Sequence, residues 1–265
     1  MLRSALLNVM VGAALKAGRS LKRDFGEVEH LQVSLKGPAD FVSAADRRAE
    51  QIVKTELMKA RPGYGFIGEE GGKTEGTDAT HTWIVDPLDG TTNFLHGIPQ
   101  FAVSIGLERN GVPVAGVIYN PANDELYTAE RGTGAFLNDR RLRVSARSKP
   151  EDSVVGCGVP HIARGDHVQF RNELKIVQSR FGGIRRMGAC ALDLAYVAAG
   201  RFDGFWERGV HAWDMAAGIV LIREAGGFVT DCDGHDNMLL NGTVCAGNEP
   251  IQKALLAAVK EGQRG

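Results

Sequence analysis

The chain has 265 residues, of which 43% are hydrophobic and 24% charged, and its formal net charge is −1. This composition indicates a globular protein with a sizeable core, and the balanced charge gives no general signal for nucleic-acid or membrane binding. The four cysteines form no C-x-x-C pair, which argues against zinc ribbons and redox motifs. Free thiols in a reducing, cytoplasmic compartment are therefore expected. No apolar run reaches the roughly 18 residues that a membrane span needs.

Two helices are predicted at the start of the chain, over residues 4–25 and 44–60. The first continues amphipathically beyond its apolar opening, which favours an ordinary helix over a signal peptide. The second opens at Ser43, with Asp46 three positions later, and this spacing is typical of a capping box.

Strands dominate the next part, and strands alternate with helices after about residue 150. Asn110-Gly111 between two apolar runs is a strong hairpin signal. The predicted strands are 64–68, 82–85, 101–108, 112–119, 125–130 and 134–138, and the later helices are 166–179, 190–200, 214–225 and 249–261. The pattern predicts a mixed α/β (α+β) protein of two closely fused parts. Residues 1–148 would hold a helix pair and a large antiparallel sheet, and residues 149–265 a smaller α/β half.

The most informative segment runs from Trp83 to Asn93. Trp83-Ile84-Val85 predicts a buried strand, and Asp86 stands at its carboxyl end, where α/β proteins place their active sites. Asp89 follows three residues later, so a turn can bring both carboxylates to one point. Gly90 allows a ligand to approach the backbone, and successive N–H groups there suit a phosphate. The alternative interpretation is a plain polar turn.

Two further segments place carboxylates beside apolar structure. Gly68-Glu69-Glu70-Gly71-Gly72 follows a predicted strand, and Trp213-Asp214 opens a predicted helix. Asp214 has the alternative role of helix N-cap, and the two roles are compatible. Carboxylates that share one cavity repel one another, and a divalent cation removes that conflict. Ligands that are all oxygen favour a hard ion, above all Mg²⁺.

In this order and spacing, the segments resemble the inositol monophosphatase family. The family pattern is G-E-E, then W-x-x-D-P-x-D-G-T-T-N-F, then W-D with a helix that ends E-A-G-G. The likeness extends through Pro38-Ala39-Asp40 to Asp46 and through Gly188 to Gly200, and the bacterial SuhB-type branch is the most similar. The resemblance implies a layered α-β-α-β-α sandwich and usually a homodimer.

The resemblance also implies two to three Mg²⁺ ions per subunit. Glu69, Asp86 and the Leu88 carbonyl would hold the first ion. Asp86, Asp89 and Asp214 would hold the second, and a third, looser ion would lie near Glu69. Metal ions roughly 3.5–4 Å apart suit the attacking and leaving oxygens of an in-line displacement at phosphorus.

The same resemblance implies catalytic roles for three side chains. Thr91, held by Asp46, would orient and deprotonate the attacking water, and Glu69 would assist. The N–H groups of Gly90 and Thr91 would hold phosphate oxygens. From the sequence alone, Asp46 keeps an equal claim to be an ordinary helix-start carboxylate.

The implied substrate is inositol 1-phosphate or another small phosphorylated polyol. Glu207 would bind ring hydroxyls, Ala189 and Cys190 would line the pocket through their backbone, and Arg185 would reach the substrate or a partner subunit. The implied substrate-binding set also includes Glu69, Leu88, Asp89, Gly90, Thr91 and Asp214.

Two alternatives remain open at this point. One is another substrate within the family, such as histidinol phosphate, fructose bisphosphate or a phosphoadenosine nucleotide. The other is of a different class, because SuhB-type proteins also resemble accessory factors of RNA-polymerase antitermination. The intact set of metal-ligand positions favours catalysis, and lithium inhibition is expected by the same analogy.

Overall fold

Helices and sheets alternate in five layers in this computed structural model, which describes residues 3–27, 33–37, 40–162 and 165–264. Helices α1 (Ala5–Phe25) and α2 (Ala44–Ala60) cover one face of an eight-stranded sheet. Helices α5 (Cys190–Ala198) and α6 (Ala212–Glu224) fill the space between that sheet and a five-stranded sheet. Helices α4 (His167–Gln178) and α8 (Glu249–Gln263) close the other side. The predicted mixed α/β class and α-β-α-β-α layering are confirmed.

The strands of the large sheet are β3 (Gly65–Gly68), β4 (Gly72–Thr74), β5 (His81–Asp89), β6 (Ala102–Arg109), β7 (Val112–Asn120), β8 (Glu125–Glu130), β9 (Gly134–Leu137) and β10 (Arg140–Arg141). Their order is β10-β9-β8-β7-β6-β5-β3-β4. All neighbouring strands are antiparallel except β3 and β5, which run parallel. The parallel pair matters for the site, because two parallel strands end at the same edge of a sheet.

The small sheet has the order β12-β11-β13-β15-β14 and is mixed. Its parallel part joins β11 to β12 and β13, and its antiparallel part joins β15 to β13 and β14. The strands are β11 (Val154–Cys157), β12 (Gly183–Arg185), β13 (Gly204–Arg208), β14 (Phe228–Thr230) and β15 (Thr243–Gly247). A separate buried hydrophobic cluster fills each of three regions, under α1 and α2, around α5 and α6, and under α4 and α8.

The helix starts follow local capping chemistry. The Ser43 hydroxyl accepts the N–H of Ala45, and the Ser43 N–H donates to the Asp46 carboxylate over 2.7 Å, so the predicted capping box of α2 is confirmed. Helix α6 starts two residues before the predicted start, and Asp214 is not its N-cap. Asp214 lies on the first turn, where its carboxylate accepts the N–H of His211 over 2.7 Å.

A pair of glycines sets the distance between α6 and the large sheet. Gly106 of β6 pairs with Gly116 of β7. A methyl group on Gly106 would lie 2.7 Å from the Ala216 side chain, and one on Gly116 would lie 2.5 Å from the Ala217 carbonyl oxygen. Because no side chain fits there, α6 packs directly on the strands and its first turn reaches the end of β5.

Some elements had no clear signal in the sequence. They are the hairpin of β1 (Val33–Gly37) with β2 (Asp40–Ser43) and the short helices α3 (Thr91–Leu95) and α7 (Met238–Asn241). Pro38 and Ala39, which belong to the matching segments, lie outside the described residues. Over the described part of the chain, no helix is long and apolar enough to cross a membrane.

Candidate metal and phosphate site

One cavity collects most of the predicted site residues at the edge where β3 and β5 end. Because Gly68 pairs with Val85 in parallel register, the residues that follow them meet: Glu69 donates its N–H to the Val85 carbonyl over 3.2 Å, beside Asp86. The first turns of α3, α5 and α6 complete the cavity. The residues that line the cavity include Glu69, Asp86, Leu88, Asp89, Gly90, Thr91, Cys190, Asp193, Glu207 and Asp214.

A break in the sheet turns two carboxylates of β5 into the cavity. The pairing of β5 with β6 shifts between Asp86 and Asp89, so the two residues do not alternate as in a regular strand. The Leu88 N–H donates to Asp86 Oδ1 over 2.9 Å, which fixes the turn. Asp86 and Asp89 are only 2% and 8% exposed.

The starts of α5 and α6 add a contact to Asp89 and a third carboxylate, that of Asp214. The Ala191 N–H, on the first turn of α5, donates to Asp89 Oδ2 over 2.8 Å. Asp86, Asp89 and Asp214 each offer one oxygen, and these oxygens all lie within 4.8 Å of one another. Together with Glu69, these residues form what we call the acidic cluster.

Burial and mutual repulsion raise the pKa of two members of the acidic cluster well above the ordinary aspartate range. For Asp86 the largest cause is burial, followed by the charges of Glu69, Asp89 and Asp214. For Asp89 burial again comes first, followed by the charge of Asp214. A cation relieves this repulsion, and a donor set made only of oxygens fits a hard divalent ion. The residues present therefore fit a metal site.

Thr91 and Asp46 make a second group at the edge of the cavity. Thr91 Oγ1 lies 3.1 Å from Asp46 Oδ1 and 3.0 Å from the Leu88 carbonyl oxygen. Asp46 uses its other oxygen, Oδ2, for the capping box with Ser43. Burial is the main cause that raises the Asp46 pKa, while hydrogen bonds from Ser43 and Thr91 act against it. The structural and the predicted catalytic interpretation of Asp46 are thus compatible, because each uses a different oxygen.

Gly90 occupies a position that no other residue fits well. Its φ of 86° lies in the left-handed region, and a methyl group there would lie 2.8 Å from the Gln100 carbonyl oxygen and 3.1 Å from the Ala189 side chain. Ala189 is buried behind Gly90 and is not among the residues that line the cavity.

Glu50 is a residue of this site that sequence analysis missed. Its buried carboxylate accepts the Glu70 N–H over 2.8 Å. Methyl groups on Gly68 or Gly71 would lie 2.5 Å from its oxygens, so the loop that carries Glu69 closes round this carboxylate. Glu50 lies four residues after Asp46 on α2, hence on the same helix face. The signal available in the sequence was this spacing together with the two glycines.

Another wall of the cavity is built by Cys190 and Asp193 of α5 and by Glu207 of β13; we call it the α5–β13 wall. Glu207 accepts a hydrogen bond from the Cys190 thiol, and burial with the nearby Asp214 charge raises the Glu207 pKa to about 7. A methyl group on Gly158 would lie 1.9 Å from the Glu207 carboxyl, so glycine leaves room for it. Asp193 is 2% exposed.

Arg185 does not reach this cavity. It is exposed at the edge of the small sheet, and its guanidinium donates to the Ile184 carbonyl over 2.9 Å. The next residue, Arg186, lines the cavity instead. Consecutive residues of an extended chain point to opposite faces, which explains why only one of the pair faces the site.

Comparisons with known proteins agree with this geometry. The model of the inositol monophosphatase family matches residues 2–264. Inositol-1-monophosphatase of Mesorhizobium japonicum is 70% identical over 261 residues, which cover 98% of each chain. Nus factor SuhB of Pseudomonas aeruginosa is 45% identical, with 96% of each chain covered. The crystal structure of extragenic suppressor protein suhB from Bartonella henselae superposes with a TM-score of 0.95 at 62% identity, covering 97% of this chain and 99% of that one.

Proposed function

Because the chain belongs to the inositol monophosphatase family, we propose that it hydrolyses inositol 1-phosphate, and related small phosphomonoesters, to the free alcohol and phosphate. The observation that carries this proposal is the convergence of Asp86, Asp89 and Asp214 in one cavity with Gly90 and Thr91. Cation ligands and a phosphate cradle in one cavity are the requirements of metal-assisted phosphate ester hydrolysis.

We assign two to three Mg²⁺ ions to the acidic cluster. Glu69, Asp86 and the Leu88 carbonyl would hold one ion, and Asp86, Asp89 and Asp214 a second, with a looser third near Glu69. Bound there, Mg²⁺ supplies Lewis-acid stabilisation of charge on the phosphoryl and leaving oxygens. Because Asp86, Asp89 and Asp214 each have one oxygen hydrogen-bonded to a backbone N–H, the oxygens left for a cation are fixed in position.

Thr91 and Asp46 would handle the proton of the attacking water. When the Thr91 hydroxyl donates to Asp46 Oδ1, its oxygen lone pairs can accept a hydrogen bond from water and orient it. The proton then passes towards the Asp46 carboxylate, which burial makes a stronger base by raising its pKa above the ordinary aspartate value. Glu69 would assist from the other side of the cavity.

The remaining residues would bind the two parts of the ester. The N–H groups of Gly90 and Thr91, at the start of α3, would hold phosphate oxygens. Glu207 would accept hydrogen bonds from hydroxyl groups of the alcohol, and Cys190 would line the pocket beside Glu207. Ala189 would support Gly90 from behind. Arg185, which is exposed outside the cavity, would contact a partner subunit rather than the substrate.

The direct test is phosphate release across inositol 1-phosphate, histidinol phosphate, fructose 1,6-bisphosphate and a phosphoadenosine nucleotide, with and without Mg²⁺. We expect inositol 1-phosphate to be preferred and activity to require the divalent ion. Activity that persists after chelation would contradict the proposed role of the acidic cluster, and a stronger preference for another ester would change only the substrate.

Further properties are proposed on the family resemblance. They are inhibition by lithium, a homodimer, a cytoplasmic location and a division into residues 1–148 and 149–265. Lithium titration of the phosphatase assay tests the first, and light scattering tests the second.

A second candidate function is association with RNA-polymerase antitermination factors. The observation that favours it is the 45% identity to a protein named Nus factor SuhB. Co-purification of polymerase factors with the wild type and with Asp89→Asn tests it. Capture by both would separate this role from the metal site, capture by neither would oppose the role, and capture by the wild type alone would link the two.

A further inference from the structure

A buried carboxylate oxygen in the α5–β13 wall has no hydrogen-bond partner within the described part of the chain. Asp193 lies on the first turn of α5 and lines the same cavity as Glu207. The residue is 2% exposed, and its Oδ1 is fully buried with no hydrogen-bond donor among the described residues. A buried carboxylate oxygen normally accepts at least one hydrogen bond.

The surroundings of Asp193 make this arrangement unfavourable in the absence of a ligand. Burial raises its pKa well above the ordinary aspartate value; the charges of Glu207 and Asp89 act in the same direction, and Arg186 acts against them. An unsatisfied buried polar group destabilises the protein, and more so if it is charged. Such a group needs an explanation, and in a cavity that binds a substrate a contact to the bound molecule is one.

Asp193 does not belong to the group of carboxylates that converge on the candidate cation site. The oxygens that lie within 4.8 Å of one another belong to Asp86, Asp89 and Asp214, and Asp193 is not in that group. The residue belongs instead to the wall that holds Glu207. Two carboxyl groups that face one cavity from different elements, α5 and β13, can accept hydrogen bonds from two hydroxyls of one small molecule.

We infer that Asp193 binds a hydroxyl of the alcohol part of the substrate and, together with Glu207, selects phosphate esters of polyols over esters of plain alcohols. This inference rests on the proposed function. It adds a specificity-determining contact that acts on the alcohol and leaves the phosphate and the water to the other residues.

The experiment compares two esters of the same ring size, inositol 1-phosphate and cyclohexyl phosphate, which lacks the ring hydroxyls. Asp193→Asn preserves volume but replaces one acceptor oxygen with an NH2 group, which cannot accept a hydroxyl, and removes the negative charge. Asp193→Ser provides a second variant if the first folds poorly. Because a hydrogen bond to a charged acceptor is stronger than one between neutral groups, kcat/KM for inositol 1-phosphate should fall about 10- to 100-fold, mainly through KM. For cyclohexyl phosphate it should stay within about threefold.

Asp203→Asn is the matched control, because Asp203 is buried and lies outside the cavity, where it pairs with Arg147. It should leave the ratio of the two kcat/KM values unchanged. Equal losses on both esters in Asp193→Asn, or no loss on either, would overturn the inference.

Binding of both esters by calorimetry, with Ca²⁺ in place of Mg²⁺, decides the question without turnover. Asp193→Asn should then bind inositol 1-phosphate more weakly and cyclohexyl phosphate unchanged, and an unchanged preference would overturn the inference. Failure of the proposed function would look different: the wild type would release phosphate from neither ester.

Discussion

The acidic cluster and the α5–β13 wall both place buried carboxyl groups in one cavity, yet they hold them differently. In the cluster, Asp86, Asp89 and Asp214 each accept a backbone N–H, which fixes their orientation. In the wall, Glu207 accepts from the Cys190 thiol and Asp193 Oδ1 has no donor among the described residues. The acidic cluster is therefore organised before any ligand binds, whereas the wall receives its missing hydrogen-bond donor from the ligand. Changes in the cluster should therefore affect every substrate, and changes in the wall should affect substrates selectively.

The largest effect is expected from Asp86→Asn. The change removes the carboxylate assigned to both metal ions, so kcat should fall by about 10³-fold or more on every substrate, as for the loss of a main electrostatic stabiliser. Without metal the variant should be more stable than the wild type, because the repulsion of the Asp86 carboxylate by Glu69, Asp89 and Asp214 is removed. Steady-state kinetics measure the loss of kcat, and thermal unfolding in the presence of a chelator measures the stability of the metal-free protein. Full activity in this variant would remove the basis of the proposed function.

Thr91→Ala should have the next largest effect, a loss of about 10²- to 10³-fold in kcat with little change in KM. The reason is that the variant loses the hydroxyl that lies 3.1 Å from Asp46 Oδ1. Thr91→Ser is the matched control, since it keeps the hydroxyl and should keep most of the activity. If alanine and serine behave alike, the hydroxyl has no part in the reaction.

Metal affinity should rise with pH. Without a cation, Asp86 and Asp89 have a raised pKa, so a cation must displace their protons, and its affinity increases by up to about tenfold per pH unit for each proton displaced. The stability of the metal-free protein should change with pH in the opposite direction and fall as pH rises. A raised carboxyl pKa means that the folded state binds more protons than the unfolded one, so the metal-free protein loses stability as pH rises above the ordinary aspartate value.

Titration of Mg²⁺ against activity at pH 6, 7 and 8, together with unfolding in chelator over the same range, checks both trends. A half-saturating concentration that does not change with pH would show that the cluster is already deprotonated.

Glu50→Ala should act through Glu69. Loss of the carboxylate leaves the Glu70 N–H without its 2.8 Å acceptor, at a cost of about 1–3 kcal/mol in the free energy of unfolding. The loop should then hold Glu69 less well, and the half-saturating Mg²⁺ concentration should rise about tenfold. Glu50→Gln keeps an acceptor oxygen and should rescue the metal affinity. A loss of stability with unchanged metal dependence would mark Glu50 as purely structural.

The smallest effect is expected in the α5–β13 wall, from Cys190→Ala. The thiol hydrogen bond lowers the Glu207 pKa, so its loss should raise that pKa and change KM for inositol 1-phosphate about two- to threefold. Cyclohexyl phosphate should be unaffected. An equal loss of kcat/KM on both esters would show that Cys190 affects the acidic cluster rather than recognition of the alcohol.

Much of this site could be predicted because short sequence patterns determine the local structure around its residues. The strand before Asp86, the glycine at position 90 and the capping box of Asp46 each depend on neighbours within a few residues. The role of Asp193 could not be predicted in this way, because a buried carboxylate on a helix has no local signature until its tertiary neighbours are known. For Glu50 the sequence offers only its spacing from Asp46 and the two glycines of the Glu69 loop, and their meaning depends on a tertiary contact. Arg185 and Arg186 differ only in which face of the chain they occupy, and a shift of one residue in the register decides that.

The position of α6 illustrates the same limit at the level of the fold. Gly106 and Gly116 look like ordinary strand glycines in the sequence. In the structure they are the place where Ala216 and Ala217 approach the sheet, and so they determine where Asp214 lies.

The distribution of the acidic cluster along the chain has a consequence for biosynthesis. Asp86 and Asp89 leave the ribosome long before Asp214, and the N–H that holds Asp89 comes from a residue 102 positions later. A chain that is still being synthesised therefore carries these two carboxylates before it has the helices that enclose them and before Asp214 is present. High-affinity cation binding should arise only when α6 has been made and packed, so it would report that synthesis of the fold is nearly complete.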